Sequence, residues 1–422
     1  MNILVIGGGG REHAIIKKIK ENKDVEKIYC SPGNGGIALD AICTGIKATD
    51  IQGHVDFARN NNIDFVIVTP DDPLALGAVD LLQEAGFKCF GPNKNAAIIE
   101  ASKSFSKELM KKYHIPTADY ECFNNADDAI NYLENQKYPI VIKADGLALG
   151  KGVIIASDKK EAIEAVKDMM LDNKFGAAGN TIIIEEYLEG PEVSVLSFTD
   201  GKTLIPMISS MDHKRAYDND EGLNTGGMGA IAPNPYYNQK VAKEALDTIL
   251  IPTIEAMNNE GRTFKGCLYF SLMLTKDGPK VIEYNCRFGD PETQVVLPLL
   301  DSDLLTILQA CSDGNLSEDL VKFSDKSSCC VVMASKGYPE TYEKGNPIYL
   351  NDEAISHCDF AGVEIINNQY TNSGGRVLGI TCVNDNLNDA INDSYRIIDT
   401  IDFKEGYYRK DIGKKALEAI NG

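Results

Sequence analysis

The chain begins with an apolar run over residues 2–6 that passes without a break into four glycines, residues 7–10, and then into a helical pattern over residues 11–21 with Ala14, Ile15, Lys18 and Ile19 on one side. A strand feeding a tight turn and a helix is the first half of a βαβ unit, so this part of the chain is held to a parallel sheet covered by helices. Further apolar runs at residues 27–30, 65–69 and 88–90, separated by helix-length segments, extend that sheet. The first domain is expected to be Rossmann-like and to occupy residues 1–101.

From Ser102 the texture changes. An amphipathic helix with Phe105, Leu109 and Met110 leads to strands at 140–143 and 153–156 that flank a glycine-rich loop, and another strand covers 181–187. Two longer strands, 266–274 and 279–285, meet at Lys276-Asp277-Gly278 as a hairpin. The central region, residues 102–325, reads as α+β and rich in antiparallel pairs, with a small lid subdomain at about 120–188. A helix is expected over 302–312, a polar linker over 313–327, and a small closing α/β domain of short strands and helices over 326–422. The expected fold class is multidomain, α/β and α+β.

Composition narrows the partners. With 42 Lys plus Arg against 62 Asp plus Glu the formal charge is −20, which argues against nonspecific binding to nucleic acid or to an anionic membrane. The 11 cysteines are scattered, odd in number and without a C-x-x-C pair, as suits reduced thiols. No basic stretch precedes a long apolar one at the N-terminus, and no later run approaches the roughly 20 residues of a membrane helix, so a soluble cytoplasmic protein is expected.

Four motifs carry chemistry. Gly8, Gly9 and Gly10 stand between strand and helix, where backbone N–H groups and the helix dipole favour a phosphate. The dinucleotide fingerprint fails at Glu12 and His13, and the second strand ends in Ser31-Pro32-Gly33-Asn34 instead of an acid, so a single sugar phosphate, or a turn needing glycine for packing alone, fits better than NAD. Lys143 to Gly152, with Gly150 and Lys151, lacks P-loop spacing, yet a glycine flap with a lysine at each base can clamp a triphosphate. Lysines on an exposed loop are the plain alternative. Glu283 and Asn285, two residues apart on a strand, share a face beside Arg287 and offer the oxygen donors that Mg²⁺ takes together with substrate phosphates. Finally, Asp212-His-Lys-Arg followed by Asn224-Thr-Gly-Gly-Met-Gly229 suits a small zwitterion and an anion, and the five histidines are too dispersed for zinc.

Together with VIGGGGREHA, SPGN, NTGGMGA, NCRFGDPETQ, GGRVLG and RKDIG, these motifs make the whole chain resemble the glycinamide ribonucleotide synthetase (phosphoribosylamine–glycine ligase) family of ATP-grasp enzymes. The resemblance implies that ATP phosphorylates glycine and that 5-phosphoribosylamine attacks the glycyl phosphate, in purine biosynthesis. It implies Lys107, Lys143 and Lys151, with Gly150 and Gly152, on the ATP phosphates; the backbone of Glu185, Glu186, Tyr187 and Leu188 along adenine; and Glu192 on the ribose. It further implies Glu283 and Asn285 on Mg²⁺ or Mn²⁺, Arg287, Asp212 and Lys214 as catalytic groups, and Gly8, Gly9, Gly10, Pro32, Gly33, Asn34, Asp290, Pro291 and Glu292 around the sugar and glycine. Transient contact with neighbouring purine-pathway enzymes is compatible with it. Thr69-Pro70-Asp71, Ile37 and Leu223 depart from the family's usual Gly-Pro-Glu, Thr and Pro. An ATP-grasp carboxylase is the competing enzyme, and a nucleotide-binding regulatory protein the competing non-enzyme.

Overall fold

In the computed structural model, which describes residues 1–147, 152–172 and 176–421, the N-terminal apolar runs pair as a five-stranded parallel sheet. Its spatial order is Ile42–Cys43, Lys27–Pro32, Asn2–Gly7, Phe65–Val68, Lys88–Phe90. Successive side chains of Asn2–Gly7 point to opposite faces: Ile3 and Val5 pack with Ile15, Ile16 and Ile19, whereas Leu4 and Ile6 pack with Val55 and Ala58. The order reverses between Asn2–Gly7 and Phe65–Val68, and a crevice at the carboxyl ends of such a strand pair is where open α/β sheets take ligands. Gly8 and Thr69 stand at those ends.

Two antiparallel sheets follow. Tyr120–Phe123, Ile182–Glu186, Ile140–Ala144 and Val153–Ala156 form one, with Ala126–Leu133 and Lys159–Met170 packed on the face that carries Ile140, Ile142, Ile182 and Ile184. The alternation of the strand then sends Lys143 and Glu185 to the other face. Leu204–Pro206, Glu192–Thr199, Gly266–Thr275 and Gly278–Asn285 form the second sheet, and its last two strands are the expected hairpin. The sheets face each other, since Lys143 Nζ donates to Ile282 O at 3.1 Å and Lys280 pairs with Glu186 at 3.0 Å.

Two expectations about the C-terminal part need correction. The stretch read as a polar linker is packed down: Leu316 is buried and donates its N–H to Asp200, and Leu320, Val321 and Phe323 lean on the same core. Four apolar side chains among the polar ones explain this. Nor are the closing strands all short, because Ser327–Ser335 and Arg376–Asn384 are nine residues each. They form a sheet with Cys358–Phe360 and Gly406–Tyr407 that also takes Met211–Asp212 and Gly229–Ala232 from the central region. No helix among the described residues is long and apolar enough to cross a membrane.

Candidate active site

On the inner face of the lid sheet, Glu185 Oε2 lies 3.1 Å from Lys143 Nζ and 3.2 Å from Lys107 Nζ, and all three side chains are buried. Lys107 arrives from the helix Lys103–Lys112, which Ser102 caps by accepting the N–H of Phe105. Two ammonium groups around one carboxylate leave positive charge for an anion to balance. Burial lowers the pKa of Lys107 to about 8, against the pull of Glu185. The second oxygen of Glu185 is buried and has no hydrogen-bond partner among the described residues. Gly152 closes the base of the flap through Ala144 N to Gly152 O at 2.8 Å, while Gly150 and Lys151 lie outside the described residues. Glu186 is drawn to Lys280, and Tyr187 and Leu188 lead on to the strand that starts at Glu192.

Across the cleft, Ser271 faces Glu283 and Tyr269 faces Asn285 in the hairpin ladder, which keeps Glu283 and Asn285 on one face as expected. Burial works against ionising Glu283, but Lys214, Lys143, Lys103 and Arg287 together hold its carboxyl below the usual range. Arg287 donates to Asn285 Oδ1 at 3.0 Å and lies 3.3 Å from Glu100, which also accepts the N–H of Cys286 at 2.7 Å. Glu100 is thus part of the site, and only its position as an acid inside the apolar run Ala96 to Ala101 signals it in the sequence. The ionised Glu283 and the second lone pair of Asn285 Oδ1 make an oxygen pair that fits a divalent ion shared with phosphates.

Lys214 pairs with Glu192 at 2.9 Å, so the expected ribose acid and the expected catalytic lysine meet directly. Burial and the nearby Glu292 raise the pKa of Asp212 well above the carboxylate range, and its Oδ1 is buried with no hydrogen-bond partner among the described residues. Glu292 accepts from Tyr269 at 2.9 Å, and Ser194 lies 2.8 Å from the same hydroxyl. A Cβ on Gly227, whose φ is +116°, would lie 2.4 Å from Pro291 and 2.7 Å from Asp212. Only glycine lets the Asn224 to Gly229 loop come this close.

The glycine loop lies at the other end of the cleft. Pro32-Gly33-Asn34 does pack on it, with Gly33 O only 2.8 Å from a Cβ on Gly8, and Asp290 Oδ2 would lie 3.4 Å from one on Gly9. Yet Gly9 N is already given to Glu12 at 2.6 Å and Arg11 N to Asp290 at 3.4 Å, and both amide hydrogens of Asn34 go to Gly8 O and Phe360 O. Ser31 is likewise spent on Thr44. Two carboxylates therefore stand beside the loop, and these neighbouring donors are engaged within the protein. Thr69 hydrogen-bonds Glu12 Oε1 at 2.6 Å, so this departure from the family pattern helps hold the acid. Arg376, from GGRVLG, donates to Asp290 O and Gly226 O at 2.7 Å each and ties the two loops together.

Profiles of the phosphoribosylglycinamide synthetase N domain, ATP-grasp (A) domain and C domain match residues 1–100, 101–293 and 328–415. The chain belongs to the phosphoribosylglycinamide synthetase family. It is 49% identical over 414 residues to a phosphoribosylamine–glycine ligase of Clostridium acetobutylicum, covering 98% of this chain and 100% of the relative. Among solved structures, the phosphoribosylamine–glycine ligase of Thermotoga maritima superposes with a TM-score of 0.86 at 31% identity, over 98% of this chain and 100% of the other. A biotin carboxylase from Campylobacter jejuni, solved with an ATP analogue, reaches 0.74 at 15% identity over 96% and 92%, a likeness of fold alone.

Proposed function

We infer that the chain is an ATP-dependent ligase that joins glycine to 5-phosphoribosylamine in purine biosynthesis, releasing ADP and phosphate. The observation that carries this reading is full-length kinship to phosphoribosylamine–glycine ligases in a chain whose Lys107, Lys143, Glu283, Asn285 and Arg287 converge on one cleft.

A carboxylate oxygen is a poor leaving group, so glycine is activated as glycyl phosphate before the sugar amine attacks, and most of the catalysis is positioning and charge neutralisation. Lys107 and Lys143 take phosphate oxygens, with Lys151 added from the flap. The second oxygen of Glu185, which has no partner among the described residues, accepts from the amino group of adenine, a side-chain role beyond the backbone contacts expected from the sequence. Arg287, held by Glu100 and Asn285, faces the phosphoryl group in transfer. A divalent ion, Mg²⁺ in this reading, would be held by Glu283 and Asn285 and supplies charge neutralisation at the phosphates. Asp212 and Lys214 orient glycine, the lysine toward its carboxylate. The acids Asp290 and Glu12 suit the amine and hydroxyls of the sugar, which donate hydrogen bonds, better than its phosphate.

The test is ADP release measured with each substrate omitted in turn. Release that needs glycine and phosphoribosylamine together supports the assignment. Release driven by bicarbonate without either would replace it with a carboxylase.

A further inference from the structure

The segment that presents Asp212 and Lys214 is gripped from behind by the far end of the chain. His213, between them, turns its buried ring away from the cleft: Nε2 accepts the N–H of Gly413 at 3.1 Å, so Nδ1 carries the proton and faces Gly229 O at 3.3 Å. Burial, reinforced by the charge of Arg409, lowers its pKa to about 4 and keeps the ring neutral. Arg409 is itself buried. Its guanidinium grips both oxygens of Asp411 at 2.8 Å each and reaches Asp220 at 2.9 Å and Arg215 O at 3.2 Å. The backbone completes the hold, with Lys410 N donating to Asp218 at 2.7 Å and Asn219 N to Asp411 at 2.8 Å. Lys415 pairs with Asp220 from outside.

A bidentate arginine fixes orientation as well as distance, and a buried charge that loses a partner is costly, so this arrangement has little freedom to slide. The ladder carries the constraint forward. Met228 N donates to His213 O at 2.8 Å and Thr225 N to Lys214 O at 2.7 Å, which ties the glycine loop at 226–229 to the same segment.

We propose that Arg409, Asp411 and His213 are positioning residues, and that residues 409–413 form a clasp that holds Asp212 and Lys214 at the glycine end of the cleft. This rests on the reading of Asp212 and Lys214 as active-site groups. The clasp touches neither Lys107 nor Lys143, and Lys214 reaches the nucleotide end only through Glu192 and the charge it lends Glu283, so nucleotide binding should sense the clasp far less than glycine does.

The experiment is a double-mutant cycle on the full chain. Arg409→Met is expected to lower kcat/KM for glycine by about 30-fold, the scale of a sub-ångström misplacement, while the ATP Kd from equilibrium binding stays within about threefold. Combined with Lys214→Met, it should cost much less than its effect of about 30-fold on the unaltered chain, because the part of the loss that acts through Lys214 is already gone and only that through Asp212 remains. Arg409→Lys should recover part of the loss. Multiplicative losses in the double variant, an ATP Kd that weakens in step with glycine turnover, or full activity of Arg409→Met would each overturn the clasp. If Arg409→Met gives no cooperative melt, Asp220→Asn takes its place in the cycle, with the same non-additivity expected and additivity overturning it. Full activity of Lys214→Met is a different failure: it removes Lys214 from the site, and the clasp falls with that reading.

Discussion

In its proposed role, Lys107 has an unusual task, since it must carry charge inside the protein until a phosphate arrives. Burial brings its pKa down to about 8, so the ammonium is intact below that pH and lost above it. ATP affinity should weaken as pH rises through this value. Lys107→Arg, whose guanidinium stays protonated, should remove that inflection, and a flat pH profile in the unaltered enzyme would count against the phosphate role. Glu283 has the opposite need. Lys214, Lys143, Lys103 and Arg287 overcome the effect of burial and keep it ionised, as the proposed metal role requires. Glu283→Gln keeps the volume and removes the charge, so turnover at limiting Mg²⁺ should fall by about 100-fold or more, the scale of losing one preorganised charge. The melting temperature should barely move. Full activity at limiting Mg²⁺ would remove Glu283 from the metal site.

At the scale of elements, the four glycines after the first strand divide their work. Gly8 is closed in by Gly33 O, so its Cβ has no room, whereas Gly9 looks toward Asp290 at the edge of the cleft. Gly8→Ala should therefore act on stability, costing about 1–3 kcal/mol in denaturant titration, as overpacking does. Gly9→Val should act on the substrate, raising the KM for phosphoribosylamine by about 10-fold through blocked approach to the loop, with the KM for ATP unmoved. A rise confined to the ATP KM would mean that the sugar and nucleotide ends of the cleft have been exchanged.

At the scale of the molecule, the N domain and the C domain meet through His13. Its Nδ1 accepts the N–H of Phe360 at 2.9 Å, and its Nε2 hydrogen then points to Asp40 at 3.0 Å. Asn34 and Lys17 add links to Phe360 and Asp359. His13→Leu strands a buried N–H and should cost about 2–3 kcal/mol, read as a lower denaturant midpoint. The hydrogen bond from His13, aided by Lys20, holds the Asp40 carboxyl well below the usual range. A depressed carboxyl stabilises the fold above its unfolded pKa of roughly 4 and loses that contribution as the pH falls below it. Asp40→Asn should accordingly narrow the gap between melting temperatures at neutral and acid pH, and an unchanged gap would show that the pair contributes nothing.

Periodicity and turn residues made the first sheet and the hairpin through Lys276-Asp277-Gly278 legible, because both are settled by contacts near in sequence and by which faces are apolar. The spacing of Glu283 and Asn285 was legible for the same reason: strand alternation alone puts them on one face, whereas Arg287, past the end of the strand, reaches them through its bond to Asn285. Other features required the tertiary fold. Glu185 became a bridge between Lys107 and Lys143 only when a helix and two strands closed on it. Glu100 entered the site from a helix of the first region, and the closing sheet took Met211–Asp212 and Gly229–Ala232 from the central one. The glycine loop gained Asp290 as a neighbour, a residue the sequence puts 279 positions from Arg11. Local pattern decides which backbone forms and which face is buried; the pairing of distant charges depends on how the elements pack, and that pairing decides what each motif can bind.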